Sequence, residues 1–437
     1  MLLCGIDIGT TNLKVALYDG TSRPVWIRST PTPRITDGIG TDTDATALLR
    51  VIEALVVEGW QALGRPSPIA AISTSGVGED GVFVDADLVP LGPSIPWYDL
   101  RARVEAGELS AHPAATGQSG IAMDPTRAAP KWLWSARNLP ATRQAQHWLS
   151  LTDFPLARWA GAAFISDTLA SRTGCFDPVV RDWIAPLLQA ANAPPLPRVL
   201  SAGSVIGRVQ SLLFRQTGAV NENTLLVAGG HDHPVAAHAI HRLAANARVD
   251  SMGTANVIYG DAPVFQPESH DPKIAFMASI EGPEKIACLG VFEFTATVNR
   301  YPGGLAAVRP VLDLAEMPGK PGQAKRANFT DVRQLLEWAT MNARQMLDRL
   351  GSFGVPEGPI FATGGWSRSQ SLLELRASIF GQAVHAPDEK ELSVLGAALL
   401  ASKALGQQLE FQTPVTVIAP RPDWAATYAD LYAQFVA

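Results

Sequence analysis

Apolar residues fall in short runs and stripes that alternate along the chain. Residues 2–8 form a nearly unbroken apolar run and 14–18 another; with Gly9-Thr10-Thr11 between them and Asp19-Gly20 behind, they predict a β-hairpin. Over 44–62, Leu48, Leu49, Ile52, Leu55, Val56 and Trp60 recur with helical period, and 69–73 then predicts a buried strand. The run 224–228 predicts a strand that ends in the turn Gly229-Gly230-His231-Asp232-His233-Pro234, with a helix over 235–245. A second hairpin is predicted from 248–252, the turn Gly253-Thr254, and 256–259. The likeness of Asp7-Ile8-Gly9-Thr10-Thr11 to Asp250-Ser251-Met252-Gly253-Thr254 reads as a weak internal repeat. Asp331 should cap a helix over 332–350 that Gly351 stops. Residues 358–362 then read as strand, Gly364-Gly365 as turn, and Ser371 with Glu374 as a capping box. Residues 94–197, rich in Trp and Pro, read as an irregular cover with short helices, and 303–328 as loop. Strands and helices in alternation predict an α/β fold in two like-built halves, 1–245 and 246–437.

A length of 437 residues agrees with two domains. With 47% hydrophobic and 17% charged residues, the chain can fill ordinary cores and lacks a disordered composition. Lys and Arg number 35 against 41 Asp and Glu, a net charge of −6 without a basic stripe, which argues against nucleic acid or an acidic membrane as partner. Cys4, Cys175 and Cys288 lie far apart and predict neither disulfides nor a zinc site. No signal-peptide pattern or long apolar span is read, so the expected location is cytoplasmic and the expected ligand small.

A glycine turn between strands lets backbone amides and Thr hydroxyls approach phosphate oxygens, and the chain offers two, Gly9-Thr10-Thr11-Asn12 and Gly253-Thr254. One such turn often does no more than reverse the chain; two in facing halves point to a nucleotide. Asp7 precedes the first turn, where a carboxylate can hold Mg²⁺, and Lys14 lies within reach of the same phosphates. Asp232, after a strand and a double glycine, is placed to accept the proton of a sugar hydroxyl during phosphoryl transfer, though it could instead cap the helix that follows. His231, His233, His238 and His241 invite a metal-site reading, which lacks a supporting Cys. Gly364-Gly365-Trp366-Ser367-Arg368-Ser369, between strand and helix, suits close approach of a nucleotide.

In this order the motifs resemble those of the FGGY carbohydrate kinases, a branch of the fold shared with actin and hexokinase: 1–19 and 250–256 as two phosphate motifs, 229–232 as catalytic motif, 361–369 as adenosine motif, and Leu395-Gly396-Ala397-Ala398 as a late helix motif. The resemblance covers nearly the whole chain. It implies two actin-like, ribonuclease H-like domains with ATP and Mg²⁺ meeting a small sugar or polyol in the cleft between them. It assigns Asp232 as base and Asp7 to Mg²⁺. Gly9, Thr10, Thr11, Asn12, Lys14, Gly253 and Thr254 fall to the phosphates, and Gly364, Gly365 and Ser369 to the adenosine side. Glu79, Asp80, Trp97, Asp99 and His231 would face the sugar beside Asp232. At the sugar loop this chain has Glu79-Asp80 where xylulose kinases carry Met-His and glycerol kinases Arg-Glu, so neither substrate carries over. Residues 301–328 show no counterpart of the family's Gly-Glu-Arg-x-Pro stretch. The reading leaves a homodimer open. Two other classes remain: a nucleotide-driven sensor or chaperone-like switch that needs no sugar base, and a metal-dependent hydrolase using the histidines.

Overall fold

A computed structural model describes the chain except residues 37, 254, 269, 323–328, 330 and 408. Thr254 therefore lies outside the described residues, as does the end of the predicted 303–328 loop. Among the described residues, one six-stranded sheet is built from β1 (Leu3–Ile8), β2 (Asn12–Tyr18), β3 (Pro24–Pro31), β4 (Ala71–Gly76), β5 (Val205–Arg208) and β6 (Leu225–His231) in the order β5-β6-β4-β1-β2-β3. A seven-stranded sheet follows from β7 (Arg248–Met252), β8 (Asn256–Pro263), β9 (Ile274–Ala278), β10 (Lys285–Phe292), β11 (Ile360–Thr363), β12 (Val384–Pro387) and β13 (Val415–Ile418), in the order β9-β10-β8-β7-β11-β12-β13. Each has the same centre. An antiparallel hairpin, β1-β2 or β7-β8, is flanked by a third antiparallel strand on one side and by two parallel strands on the other. The fold is thus α/β with two actin-like domains. No described helix is long and apolar enough to cross a membrane.

α1 (Ala45–Ala62) is capped by Asp44, which accepts from the Ala47 amide at 2.9 Å, and buries the stripe Leu48, Ile52, Leu55, Val56 and Trp60 against the first sheet. α2 (Ala128–Asn138) belongs to the cover over that sheet, where a small hairpin pairs Gly81–Val84 with His147–Ser150. α3 (Asp232–His241) leaves β6 and lies against β7 and β8 of the second sheet. α4 (Val332–Ser352) and α5 (Gln370–Phe380) cover the second sheet's far face, and α6 (Leu392–Ala404) returns to lie on β1 and β4. α3 and α6 cross between the sheets. At Gly396 a Cβ would come within 2.1 Å of the Val235 carbonyl oxygen, so the small residues Gly396-Ala397-Ala398 set how closely the helices cross.

Four local expectations are corrected. Gly229 and Gly230 are not a turn but the end of β6, where the ladder to β4 shifts register, and a Cβ on Gly229 would strike the Thr74 carbonyl oxygen at 1.5 Å. α3 accordingly starts at Asp232, three residues early. The cap of α5 is Ser369, whose hydroxyl accepts from the Leu372 amide, and Ser371 lies inside the helix. Residues Gly304–Leu312 form a helix despite Pro310, since a proline late in a short helix displaces only the bond to the carbonyl four residues back. The hairpin repeat is also shifted by one. Ile8 pairs Leu13 before the first turn and Met252 pairs Asn256 before the second, so Asp7 corresponds to Ser251 and Asp250 to Ile6. Successive strand residues face opposite ways, so the two aspartates lie on opposite faces of their sheets.

Candidate active site

Along β1, Cys4, Ile6 and Ile8 enter the core under α1, while Leu3, Gly5 and Asp7 face the crossed helices. That column ends at Asp7, near the beginnings of α3 and α6, where Asp232 and Glu391 stand. Burial pushes the Asp7 carboxyl up to about 7; Asp232 adds to the rise, Lys14 opposes it and Glu391 adds to it again. Lys14 pairs with Glu391 at 2.5 Å, so its charge is shared away from Asp7. Asp7 is therefore a carboxylate short of positive charge beside a second one. Among the described residues no group of three or more His, Cys, Asp or Glu side chains could hold a metal ion, which includes the histidines near Asp232. The donor set suits Mg²⁺ in another form: that ion is commonly bound through one or two carboxylates with phosphate and water completing its shell.

Asp232 opens α3. Its Oδ1 accepts from the His233 amide at 2.7 Å and lies 3.3 Å from His231 Nε2. His231 ends β6, with its amide held by Thr168 Oγ1 at 3.0 Å; burial brings its imidazole down to about 4, against the pull of Asp232, so it is neutral at pH 7. Gly78, in the loop after β4, packs against the His231 ring and the Arg172 side chain. The same loop carries Glu79 and Asp80. Burial would raise the Glu79 carboxyl, but Arg172 and Arg127 outweigh it and bring it down to about 2; Arg172 Nε lies at 2.9 Å and Arg127 Nη1 at 2.8 Å from Oε1. Asp80 goes the other way. Burial raises it to about 7, with Lys131 opposing only in part, and its Oδ1 accepts from the Trp97 amide at 2.6 Å. Burial lowers the Lys131 amine to about 8, with Asp80 opposing, and the amine donates to the carbonyls of Pro96 at 2.8 Å and Thr126 at 3.1 Å.

Trp97 joins this loop to the first glycine turn, since its indole donates to Thr10 Oγ1 at 2.9 Å. The turn itself closes through the Gly9 amide on the Asn12 carbonyl at 3.0 Å, leaving Thr11 and Asn12 exposed. The Asp99 carboxylate is taken by Arg101, which also holds Asp42. In the second half the Gly253 amide bonds to the Ala255 carbonyl at 3.0 Å, and Gly364, at φ 84°, sits against the end of β7 at Met252. Gly365 begins a single tight turn, and the Ser369 hydroxyl, besides capping α5, donates to the Leu312 carbonyl at 2.7 Å.

The structure thus brings Asp7, Asp232, His231, Glu79, Asp80, Trp97 and Thr10 into one connected group, and Gly253 beside Gly364. Sequence reasoning missed Arg127, Lys131 and Arg172, which bring positive charge to the loop at Glu79 and Asp80, and Thr295, whose hydroxyl donates to the Gly253 carbonyl at 3.2 Å. No local pattern marks them for these roles, because the groups they serve at Glu79, Asp80 and Gly253 lie tens of residues away. Two buried atoms in the group lack partners: Arg172 Nη1 and His231 Nδ1. Buried polar atoms are ordinarily bonded, so both can serve oxygens of a ligand.

Comparison with known proteins agrees with this geometry. The family model described as the FGGY family of carbohydrate kinases, N-terminal domain, matches residues 2–238, and its C-terminal counterpart matches 325–405. A xylulose kinase of Streptomyces coelicolor is 25% identical, over 92% of this chain and 88% of its own length. An L-fuculokinase of Escherichia coli is 24% identical over 79% of each. The crystal structure of a xylulose kinase from Rhodospirillum rubrum, 20% identical, superposes with a TM-score of 0.86 and covers 100% of this chain and 98% of that one, a likeness of fold.

Proposed function

The chain belongs to the FGGY family of carbohydrate kinases, and on that premise we propose that Asp232 is the general base for phosphoryl transfer from ATP to a ketose, such as a pentulose or tetrulose, or to a polyol. As a member of that family the chain is an ATP-dependent kinase of a small sugar or polyol. The observation that carries the finer reading is the convergence of the polar loop at Glu79 and Asp80 on His231 and Asp232, tied to the first glycine turn by Trp97. A nucleotide switch has no need of that loop beside a carboxylate.

In this reading residues 1–245 hold the sugar and the base, and 246–437 the nucleotide. Asp232 accepts the proton of the attacking hydroxyl as its oxygen bonds to the γ-phosphorus and the bond to the β-phosphate oxygen breaks, releasing ADP. Neutral His231 keeps the Asp232 carboxylate in place without adding a charge, and Arg172 Nη1 and His231 Nδ1 bond sugar oxygens. The amides of Thr10 and Thr11 face the phosphates at the first turn, and at the second Gly253 leaves room for their approach, with Gly364, Gly365 and Ser369 on the adenosine side. Mg²⁺, held at Asp7, would offset charge on the β- and γ-phosphates. Closure of the halves excludes water, the competing acceptor.

The test is ADP release with ATP and Mg²⁺ against ketopentoses, ketotetroses, deoxyketoses, aldoses and polyols, with the native chain and Asp232→Ala. A sugar-dependent rate that drops about 10²- to 10⁴-fold in the variant is expected. An undiminished rate removes Asp232 from the chemistry, and silence across the panel with ATP still bound favours the sensor.

A further inference from the structure

The first glycine turn is held from one side by the segment that follows β3. β3 ends at Pro31, and Thr32 then donates twice to the turn, its amide to the Thr11 carbonyl at 2.9 Å and its hydroxyl to the Gly9 carbonyl at 2.7 Å. The carbonyl between these two, that of Thr10, accepts from Arg34 Nη2. Three consecutive carbonyls of the turn are thus taken by residues 32–34. These peptides are trans, and in a trans peptide the C=O and N–H point opposite ways. The amides of Thr10, Thr11 and Asn12 are therefore aimed away from that segment.

The segment is itself fixed. Pro31 and Pro33 flank Thr32; a proline locks its own φ and restricts the residue before it to extended backbone, so few conformations compete with this one. The Pro33 carbonyl accepts from the Asp44 amide at 3.2 Å, at the start of α1. Arg34 opens a short strand paired with Thr41–Thr43, and its Nη1 donates to Thr43 Oγ1 at 2.5 Å. Its guanidinium carbon stands 5.9 Å from the centre of the Tyr98 ring, beside Trp97, which holds the Thr10 hydroxyl. The side chain and the carbonyl of Thr10 are thus gripped by two different segments outside the hairpin.

We propose that Thr32 and Arg34 are positioning residues for phosphoryl transfer: by occupying the carbonyls of the first turn they hold the amides of Thr10 and Thr11 ready for phosphate oxygens. The role depends on the phosphates lying at that turn, as the proposed function has it. Donors fixed before the ligand arrives need no reorganisation when it binds. Without Arg34 the peptide between Thr10 and Thr11 is free to turn over and present its carbonyl, an acceptor facing an anion.

The test is calorimetric binding of β,γ-methylene ATP with Mg²⁺, and of adenosine, to the native full chain, Arg34→Met, Thr32→Val and Thr32→Ser, with the Thr10 and Thr11 amide resonances followed by NMR. In the native chain both amides should shift with the ATP analogue and not with adenosine. Arg34→Met keeps the stem and loses a charged donor, and should weaken the analogue about 10- to 100-fold. Thr32→Val loses a neutral donor and should weaken it about 3- to 10-fold. Adenosine should bind both variants as it binds the native chain. Thr32→Ser keeps the hydroxyl and should restore native affinity, whereas a merely structural role would lower Tm and weaken both ligands alike. If the native amides do not shift with the analogue, the phosphate role of the turn fails and the positioning role falls with it. If they shift, but Arg34→Met and Thr32→Val both bind the analogue as the native chain does, or both lose adenosine to the same extent as the analogue, the positioning role alone is overturned.

Discussion

β1 turns into β2 at Gly9 and β7 into β8 at Gly253, at the same place in two sheets of like order, yet the aspartates beside those turns live in opposite circumstances. Asp250 is fully buried under α5, where its Oδ1 accepts from Asn256 Nδ2 at 2.6 Å and Arg376 Nη1 stands 3.5 Å from Oδ2. Among the described residues the cation acting on Asp7 is Lys14, and Lys14 is held by Glu391. Burial raises both carboxyls, but one has a buried guanidinium and a side-chain amide of the fold beside it, and the other is left for something that arrives. The cause is a single residue of offset from the turn, which places Asp250 on the core face and Asp7 on the face of the crossed helices. Related halves can thus divide their labour: the second hairpin keeps a cation of the fold beside its aspartate and offers its backbone, while the first keeps an unmet charge at the cleft.

The largest effect should come from breaking the complete side. Arg376→Met leaves Asp250 buried and uncompensated and should cost about 3–5 kcal/mol of stability, read from denaturant unfolding. Adding Asp250→Val to that variant should restore most of the loss, since a buried ion pair and an apolar pair are often close in stability. A loss below about 1 kcal/mol would mean that Asp250 is no better served than Asp7, and the contrast would fail. On the other side the signs should separate. Asp7→Asn should lower turnover about 10²- to 10³-fold, while the ligand-free variant at about pH 8 becomes more stable by about 1–2 kcal/mol because a poorly compensated charge is gone. If activity and stability fall together, Asp7 is a structural carboxylate like its distant counterpart.

Titration sharpens the same point. Asp7 and Asp80 are both raised to about 7 and Asp153 to about 8, all chiefly by burial; burial raises Asp250 and Asp261 of the second half too, with Arg376 opposing at the first and His241 at the second. A carboxyl raised in the folded state is favoured while protonated, so its contribution is complete below the unfolded value near 4 and is lost as pH rises through the folded one. His231, lowered to about 4, acts in the opposite sense between about 4 and 6.5 and offsets part of the loss. The ligand-free chain should therefore lose at least about 1 kcal/mol between about pH 5 and 8, and Asp7→Asn should show a shallower fall. Equal slopes in the two chains would contradict the assignment of an unmet charge to Asp7.

How much of this was legible in the sequence depended on range. The hairpin at Gly9, the stripe of α1, and the Asp331 cap of α4 follow from spacing a few residues long. The turn expected at Gly229-Gly230 failed because a glycine pair marks close approach as readily as a bend, and here Thr74 is what it approaches. Ser371 was read as a cap where Ser369 serves, two hydroxyls that a local pattern cannot rank. At the site, Asp7 stood out by preceding the first glycine turn and Asp232 by following a strand. Arg127, Lys131 and Arg172 did not, since the cover segment brings them to Glu79 and Asp80 through contacts of 48 to 93 residues in sequence, for which no periodicity exists.

The smallest effects should fall on the ties that hold the two turns in place. On the first, the Trp97 indole holds the Thr10 side chain; on the second, the Thr295 hydroxyl holds the Gly253 backbone at the slightly longer 3.2 Å. Trp97→Phe keeps the ring's bulk and removes one donor, which is worth about 1 kcal/mol and so about fivefold in kcat/KM. Thr295→Val removes one donor at that longer distance, and the loss should be smaller still. The two also differ in kind. Trp97 touches Asp80 through its own amide as well, so loosening it disturbs the loop to which the proposed function gives the sugar, and should raise KM for the sugar. Thr295 touches only the second turn and should raise KM for ATP alone. Measuring both Michaelis constants in both variants separates the roles of the two hairpins: if Trp97→Phe moved only the ATP constant, the first turn would be a nucleotide element with no link to the sugar loop, and its tie to Asp80 would be incidental.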